Sequence, residues 1–296
     1  MRARFDIDAR LALIRRALAE KPDDPDLLFR LADALADAGD AARYAEVFRR
    51  AFRLKPSVQP RLGESAAALR DRARMLLDHG VAYAPVIGAL AVAEALLGNR
   101  HAVERLVDHR GFLRIETLSP PDGIAEALIA GAARREKRNG KAGDGQYLFD
   151  VFEMPALHGV AGEIHAHVAR YIASLGASDH PFVASAPKSW RLNAWSVLSA
   201  GEDHFEPHVH PQAWASGVFY VLQPSVSRGS ERGWLRIGPP SQFGVTAEQG
   251  WTERRIEPVP GRLVLMPGYF YHETLPTRAE EARLCVAFNV VPADPA

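Results

Sequence analysis

The sequence predicts an α+β fold, with an all-helical N-terminal region followed by a β-rich sandwich or barrel. Three observations carry this expectation. Apolar residues recur at three- and four-residue steps up to about His109, the texture changes after Gly111, and from Trp190 onward short apolar runs alternate with Gly and Pro. A chain of 296 residues is long enough for two ordinary domains, and the change of period sets their expected limits at 1–110 and 111–296.

In the helical half, Leu28, Leu31, Ala32 and Leu35 mark one amphipathic helix, and Tyr44, Phe48 and Ala51 mark a second. Gly39-Asp40 supplies the turn between them and Pro56 the stop. Pro22 and Pro56 are 34 positions apart, one repeat length, and the order of features resembles a tetratricopeptide repeat (TPR). Small Ala32 and Ala51 let the two helices approach while the large residues fill the seam. The stretch ending ALAEKPDDP reads as the second helix of a preceding repeat. Segments 64–78 and 84–97, with a turn at Gly98-Asn99 and a last helix through Val107, match the repeat less well. An unrelated all-helical subdomain is the alternative.

After Gly111, segment 112–118 alternates like an edge strand, and 122–138 reads as a helix with Asp122 as N-cap. Residues 138–146 form a polar, glycine-rich loop, and 156–175 an amphipathic helix. Strands are expected at 190–199, 216–222, 234–237, 254–259, 262–266 and 283–291. Many short strands with frequent turn signals specify a sandwich or barrel.

Composition narrows the function classes. Lys+Arg and Asp+Glu both number 36, which argues against a general nucleic-acid or anionic-membrane binder. The single cysteine, Cys285, permits no intrachain disulfide and suits a reducing cytoplasm, the expected location. The first residues do not read as a signal peptide. The most apolar stretch, 81–97, is interrupted by Pro85 and Gly88 and carries Glu94, too short and too punctuated to span a bilayer.

The histidines point to the chemistry. His79, His101, His109, His158, His165 and His167 are read as surface or packing residues, and His180 as a loop residue. In GEDHFEPHVHPQAWASGVFYV the pattern differs. His208 and His210 are two apart, so an extended strand would point both to one face. Neutral imidazoles ligate iron, zinc, copper or nickel. His272 follows 62 residues later in PGYFYHETLP, after the expected strand 262–266 and a Pro-Gly turn. Two ligands from one strand and one from a distant strand would define one face of a metal and leave the opposite positions open. Arg283, eleven residues on, opens the last strand, where a fixed guanidinium can clamp a carboxylate.

The runs SWRLNAWSVLSAG, HVHPQAWASGVFYV, PGRLVLMPGYFYHETLP and RLCVAFNV together resemble a bacterial family of 2-oxoglutarate- and iron-dependent oxygenases, over about residues 190–292. The resemblance implies a double-stranded β-helix (jelly-roll) domain, iron(II) held by His208 and His272, and Arg283 on the distal carboxylate of the 2-oxoglutarate co-substrate. Asn193 and Tyr220 would be lesser candidates for hydrogen bonds to that co-substrate. The broader superfamily has Asp or Glu where this chain has His210, which leaves Glu206, a shifted His204-x-Glu206 pair, or water as alternatives for the third ligand. Cys285 stands where the superfamily has Ser. Trp195, Trp214, Phe219 and Tyr269 are candidates to line the pocket or to pack the barrel core.

The expected activity is a dioxygenase that hydroxylates a protein or peptide side chain, the partner docked on the helical repeats, whose concave stacks suit extended peptides. The alternatives are a small-metabolite oxygenase whose repeats serve dimerisation, and a non-catalytic cupin-like metal-binding or scaffold protein. A three-histidine dioxygenase that needs no 2-oxoglutarate would leave Arg283 without a role.

Overall fold

The computed structural model describes residues 2–56, 64–134 and 146–293. Its first part is helical: α1 (Arg2–Glu20), α2 (Pro25–Asp37), α3 (Ala41–Leu54), α4 (Ala66–Asp78), α5 (Ala84–Leu96), α6 (Arg100–Leu106) and the single turn α7 (His109–Phe112). Local chemistry sets the boundaries. Asp24 accepts the N–H groups of Asp26 and Leu27 ahead of Pro25, and Asp40 accepts that of Arg43, so each helix starts on a carboxylate cap. Leu28, Ala32 and Leu35 are buried against Tyr44, Phe48 and Ala51 along the α2–α3 seam. Arg72 of α4 ties the next layer down through Asp33, Asp37 and Glu64.

Helix α5 is buried nearly all round, from Ala84 to Ala95. An amphipathic period is therefore missing there, as expected for a helix with packed neighbours on every side. Its one charge, Glu94, is neutralised by Arg74 at 2.6 Å and also accepts from Asn99. Among the described residues, no helix is long and apolar enough to cross a membrane.

The second part holds two antiparallel sheets. The larger runs in the order β1 (Arg114–Thr117), β8 (Arg262–Pro267), β5 (Ala215–Leu222), β10 (Arg283–Pro292), β3 (Trp190–Ser199), β2 (Gln146–Phe149). The smaller runs β4 (Phe205–His208), β9 (His272–Thr274), β6 (Leu235–Ile237), β7 (Arg254–Ile256). Helices α8 (Ile124–Arg134) and α9 (His158–Ser174), and the short α10 (Pro181–Ala184), accompany the larger sheet. The whole is α+β, an antiparallel sandwich with helices on one side.

Successive residues of β10 face opposite ways. Leu284, Val286, Phe288 and Val290 point to the helical side, where Phe288 meets Phe152 and lies over Gly217. Arg283, Cys285, Ala287 and Asn289 point the other way. Directly opposed residues of antiparallel strands share a face, so Ser199, Val197, Trp195 and Asn193 of β3, and Tyr220, Val218 and Ser216 of β5, line the same interior.

Helices and sandwich meet through specific bonds. Tyr269 donates its hydroxyl to the Leu106 carbonyl at 2.5 Å, Gln249 donates to Ala95 at 3.2 Å, and His109 lies against Phe270 with ring centroids 5.0 Å apart. His180 departs from the expected loop position. It is buried at the start of α10, where Nδ1 accepts the Phe182 N–H at 3.2 Å and the ring packs on Phe112. Helix α8 begins at Ile124 rather than after Asp122, because Gly123 takes a left-handed φ of 79° and its carbonyl accepts the first helical N–H, that of Ala127. The expected glycine-rich loop at 138–146 lies, up to residue 145, outside the described residues.

Burial pushes His109 and His180 down to about 4. Both rings are neutral in the fold and protonate first in the unfolded chain. Stability is complete above the ordinary imidazole value of about 6.5 and falls as pH drops from there toward 4, by up to about 1.4 kcal/mol per pH unit for each ring. Urea unfolding of the His109→Gln variant is expected to show a shallower loss of stability between pH 6.5 and 4.5 than the unmodified protein. Equal slopes would contradict the assignment.

Candidate metal centre

The β4–β9 pairing builds the site. His208 ends β4 and stands directly opposite His272, the first residue of β9, after a register irregularity that begins at Phe205. His210 lies two residues past the end of β4, and its ring joins those of His208 and His272. Pro211 follows it, and there the chain turns so that the Ala213 N–H reaches the His210 carbonyl.

One nitrogen from each of His208, His210 and His272 lies within 4.8 Å of the others. The Nε2 atoms of His210 and His272 are 3.1 Å apart. Two nitrogens each about 2.1 Å from one metal, at a right angle, would stand about 3 Å apart. The loop is held close by Gly268, where a Cβ would come within 2.1 Å of the Ala213 carbonyl oxygen. The His210 N–H donates to Gly268, whose own N–H donates to Trp214, both at 2.9 Å.

The far side of each ring is fixed. His208 donates Nδ1–H to the Glu206 carbonyl at 2.7 Å, and His272 donates Nδ1–H to Phe270 at 2.8 Å. In both the acceptor is the backbone two residues earlier. His210 has no such partner. The side-chain amide of Asn289 faces its ring in the sense that favours the protonated form, and Asn289 Oδ1 is buried without a hydrogen-bond partner. With Nδ1 protonated on His208 and His272, their Nε2 atoms keep their lone pairs. Burial pushes all three rings below the ordinary imidazole range, His210 to about 3, and the neighbouring imidazoles add to the effect on His210 and His272. Three neutral rings thus bring one nitrogen each to a common point, a donor set that a cation can share.

Beside this point lies the interior face of the larger sheet. Arg283 is 2% exposed. Among the described residues it has no carboxylate within ion-pair distance. It makes a 3.5 Å contact with Cys285 Sγ, sits 5.6 Å from the Tyr220 ring centroid, and its Nε has no partner. Tyr220 Oη and Ser216 Oγ are likewise buried without hydrogen bonds. A buried guanidinium without a counter-ion is strongly unfavourable unless a bound anion completes it. Asn193 stands opposite Asn289 on β3, on the same interior face.

The remaining candidates divide. Trp195 lies beside His210, with ring centroids 6.0 Å apart. Trp214 stacks on Phe182 at 4.5 Å, and Phe219 and Tyr269 are fully buried, so these three pack the core. His204 and Glu206 pair with each other at 3.3 Å, with the Glu206 side chain 86% exposed and outside the three-histidine group. Asn289 escaped the sequence reading. Its signal was a polar residue in an otherwise apolar strand, shared in RLCVAFNVVP only with Arg283.

Residues 193–289, about a third of the chain, match the family described as "Putative 2OG-Fe(II) oxygenase". The matched segment holds the three histidines and Arg283, and the family's description names Fe(II) and 2-oxoglutarate. The residues present fit both: neutral imidazole donors for the metal, and a buried cation with unpaired hydroxyls for a dicarboxylate. No curated protein sequence matches the chain. Among solved structures, a prolyl-4-hydroxylase of Pseudomonas putida is similar over 64% of this chain and 97% of its own, at 18% identity and a TM-score of 0.44. The α-ketoglutarate-dependent epimerase SnoN of nogalamycin biosynthesis is similar over 65% and 84%, at 19% identity and 0.44. HygX of Streptomyces hygroscopicus, with nickel and 2-oxoglutarate bound, is similar over 64% and 87%, at 12% identity and 0.42. Likeness at these levels carries no argument about the reaction.

His210→Ala is expected to lower Fe(II) or Co(II) affinity, measured by anaerobic titration, while Glu206→Ala leaves it unchanged. Asn289→Ala is expected to lower that affinity by up to about ten-fold, the lower end of the effect of removing a polar group beside a ligand's ring. The reverse order of Glu206 and His210 would transfer the third ligand to the carboxylate.

Proposed function

We propose that the protein is an Fe(II)- and 2-oxoglutarate-dependent dioxygenase that hydroxylates a side chain of a protein or peptide. In this reading residues 1–110 form a TPR-like helical repeat region, and 111–296 a double-stranded β-helix oxygenase domain. His208, His210 and His272 hold the iron through Nε2. Arg283 grips the far carboxylate of 2-oxoglutarate, with Tyr220 and Asn193 as hydrogen-bonding neighbours. The observation that carries the proposal is the presence, in one interior, of three imidazole nitrogens brought together and a buried guanidinium that, among the described residues, lacks a carboxylate.

When bound, the iron and co-substrate supply the oxidising chemistry: 2-oxoglutarate and dioxygen become succinate and carbon dioxide, and one oxygen atom enters a substrate C–H bond. The protein's residues do the rest. His208, His210 and His272 would hold the metal, and three protein donors would leave room for exchangeable ligands. Arg283, held rigid by burial, sets the co-substrate's orientation through a charge-assisted contact stronger than any neutral hydrogen bond there. The apolar wall of Val197, Val218 and Ala287 keeps water out. The helical layers support a macromolecular substrate, because stacked helix pairs present an extended surface beside the sandwich.

Anaerobically reconstituted protein is expected to turn 2-oxoglutarate into succinate on exposure to air, slowly even without substrate. Arg283→Ala is expected to weaken 2-oxoglutarate binding by at least about ten-fold in a calorimetric titration, equivalent to about 1.4 kcal/mol, while Fe(II) affinity is kept. Unchanged 2-oxoglutarate affinity would refute the role given to Arg283.

A further inference from the structure

A groove of about 630 Å³ runs between the helical part and one end of the larger sheet. Its helical wall is the end of α3 with the α4–α5 connection, where Tyr83 stacks on Phe52 with ring centroids 4.5 Å apart. Its sheet wall is the segment leading into β3 and the stretch from Pro211 to Trp214. Pro211 directly follows His210, so the groove borders the back of the loop that carries a metal-facing ring.

The charge on the walls is one-sided. Arg53 lies on the helical wall, and Lys188 and Arg191 on the sheet wall. All three are exposed, and among the described residues none forms an ion pair. Among the described residues no Asp or Glu lines the groove. In a chain with equal numbers of acidic and basic residues, Arg10, Arg50, Arg70 and Arg72 of the helices each meet an aspartate. The groove gathers three cations that do not. A small anion is held by donors converging on one point. Here the cations stand on opposite walls of an aromatic, proline-rich trough, the arrangement that meets acidic side chains spaced along an extended chain.

We propose that this groove docks an acidic peptide segment of the substrate protein. Tyr83, Pro187 and Pro211 supply apolar contact, and Arg53, Lys188 and Arg191 pair with Asp or Glu side chains. The inference rests on the reading that the substrate is a protein or peptide. It adds where that substrate is held and by which charge. The contacts are solvent-exposed, so binding is salt-sensitive and no single cation dominates.

The test uses the full chain and short fluorescent peptides, one rich in glutamate, one with glutamine in its place and one with lysine. Anisotropy titrations without metal or 2-oxoglutarate keep the measurement apart from catalysis. The glutamate peptide is expected to bind about ten-fold or more tighter than the glutamine peptide at low salt, and to lose that advantage as salt rises. The Arg53→Glu/Arg191→Glu double variant is expected to lose about ten-fold in glutamate-peptide affinity and to gain for the lysine peptide. Lys188→Glu is expected to act in the same direction, and uncoupled succinate formation to persist in each. Equal binding of the glutamate and glutamine peptides, an unaffected double variant, or full competition by inorganic phosphate would overturn the proposal. Succinate formed without peptide selectivity removes the docking site and leaves the oxygenase. Peptide selectivity without succinate removes the oxygenase and leaves the docking site.

Discussion

The structure turns on three neutral imidazoles that bring one nitrogen each to a common point. The Nε2 atoms of His210 and His272 approach to 3.1 Å, close enough to share a proton or a cation, and His272 Nδ1 is bonded elsewhere. The surrounding framework resists relaxation. The β4–β9 pairing fixes His208 and His272, and the close approach at Gly268 fixes the loop of His210. Asn289 of β10 faces the His210 ring, the one that no backbone carbonyl holds. A site of this kind is preorganised for metal, since its cost is met in folding and not on binding.

Strand β10 couples that site to the rest of the molecule. Its helical side is wholly apolar and is covered by the elements around Phe152, which anchors the strand. Its interior side carries Arg283 at one end and Asn289 at the other, about six residues or 20 Å of extended chain apart. The strand therefore spans the interior from the proposed carboxylate clamp to the metal. The interior is polar only where Tyr220, Ser216, Arg283 and Asn289 leave bonds unmade. In a core otherwise packed with Val, Leu and Phe, such a concentration of unmade bonds marks a place built around a ligand.

Much of this was legible in the sequence, and the gaps have physical causes. The α2–α3 pair could be read because caps, turn and apolar period agree. The long strands β3, β5, β8 and β10 could be read because β-branched and aromatic runs are bounded by Gly and Pro. His208, His272 and Arg283 stood out by residue type and order. Strands β4 and β9 did not, being only four and three residues long and rich in His, Pro and Glu. The position of His210 off the strand depends on a turn closed by long-range bonds to Gly268, which no local pattern encodes. His180 looked like a loop residue because its burial comes from Phe112, nearly 70 positions away in sequence. The groove joins segments from residues 52 to 293 and has no local signature at all.

The central claim is that the three histidines and Arg283 assemble one iron–2-oxoglutarate site. Anaerobic visible absorption tests it most directly, because chelation of Fe(II) by the keto acid gives a metal-to-ligand charge-transfer band that neither component gives alone. The band is predicted to appear only when Fe(II) and 2-oxoglutarate are both added, and to vanish in the His272→Ala variant. A band that never forms, or one that survives loss of His272, would contradict the account.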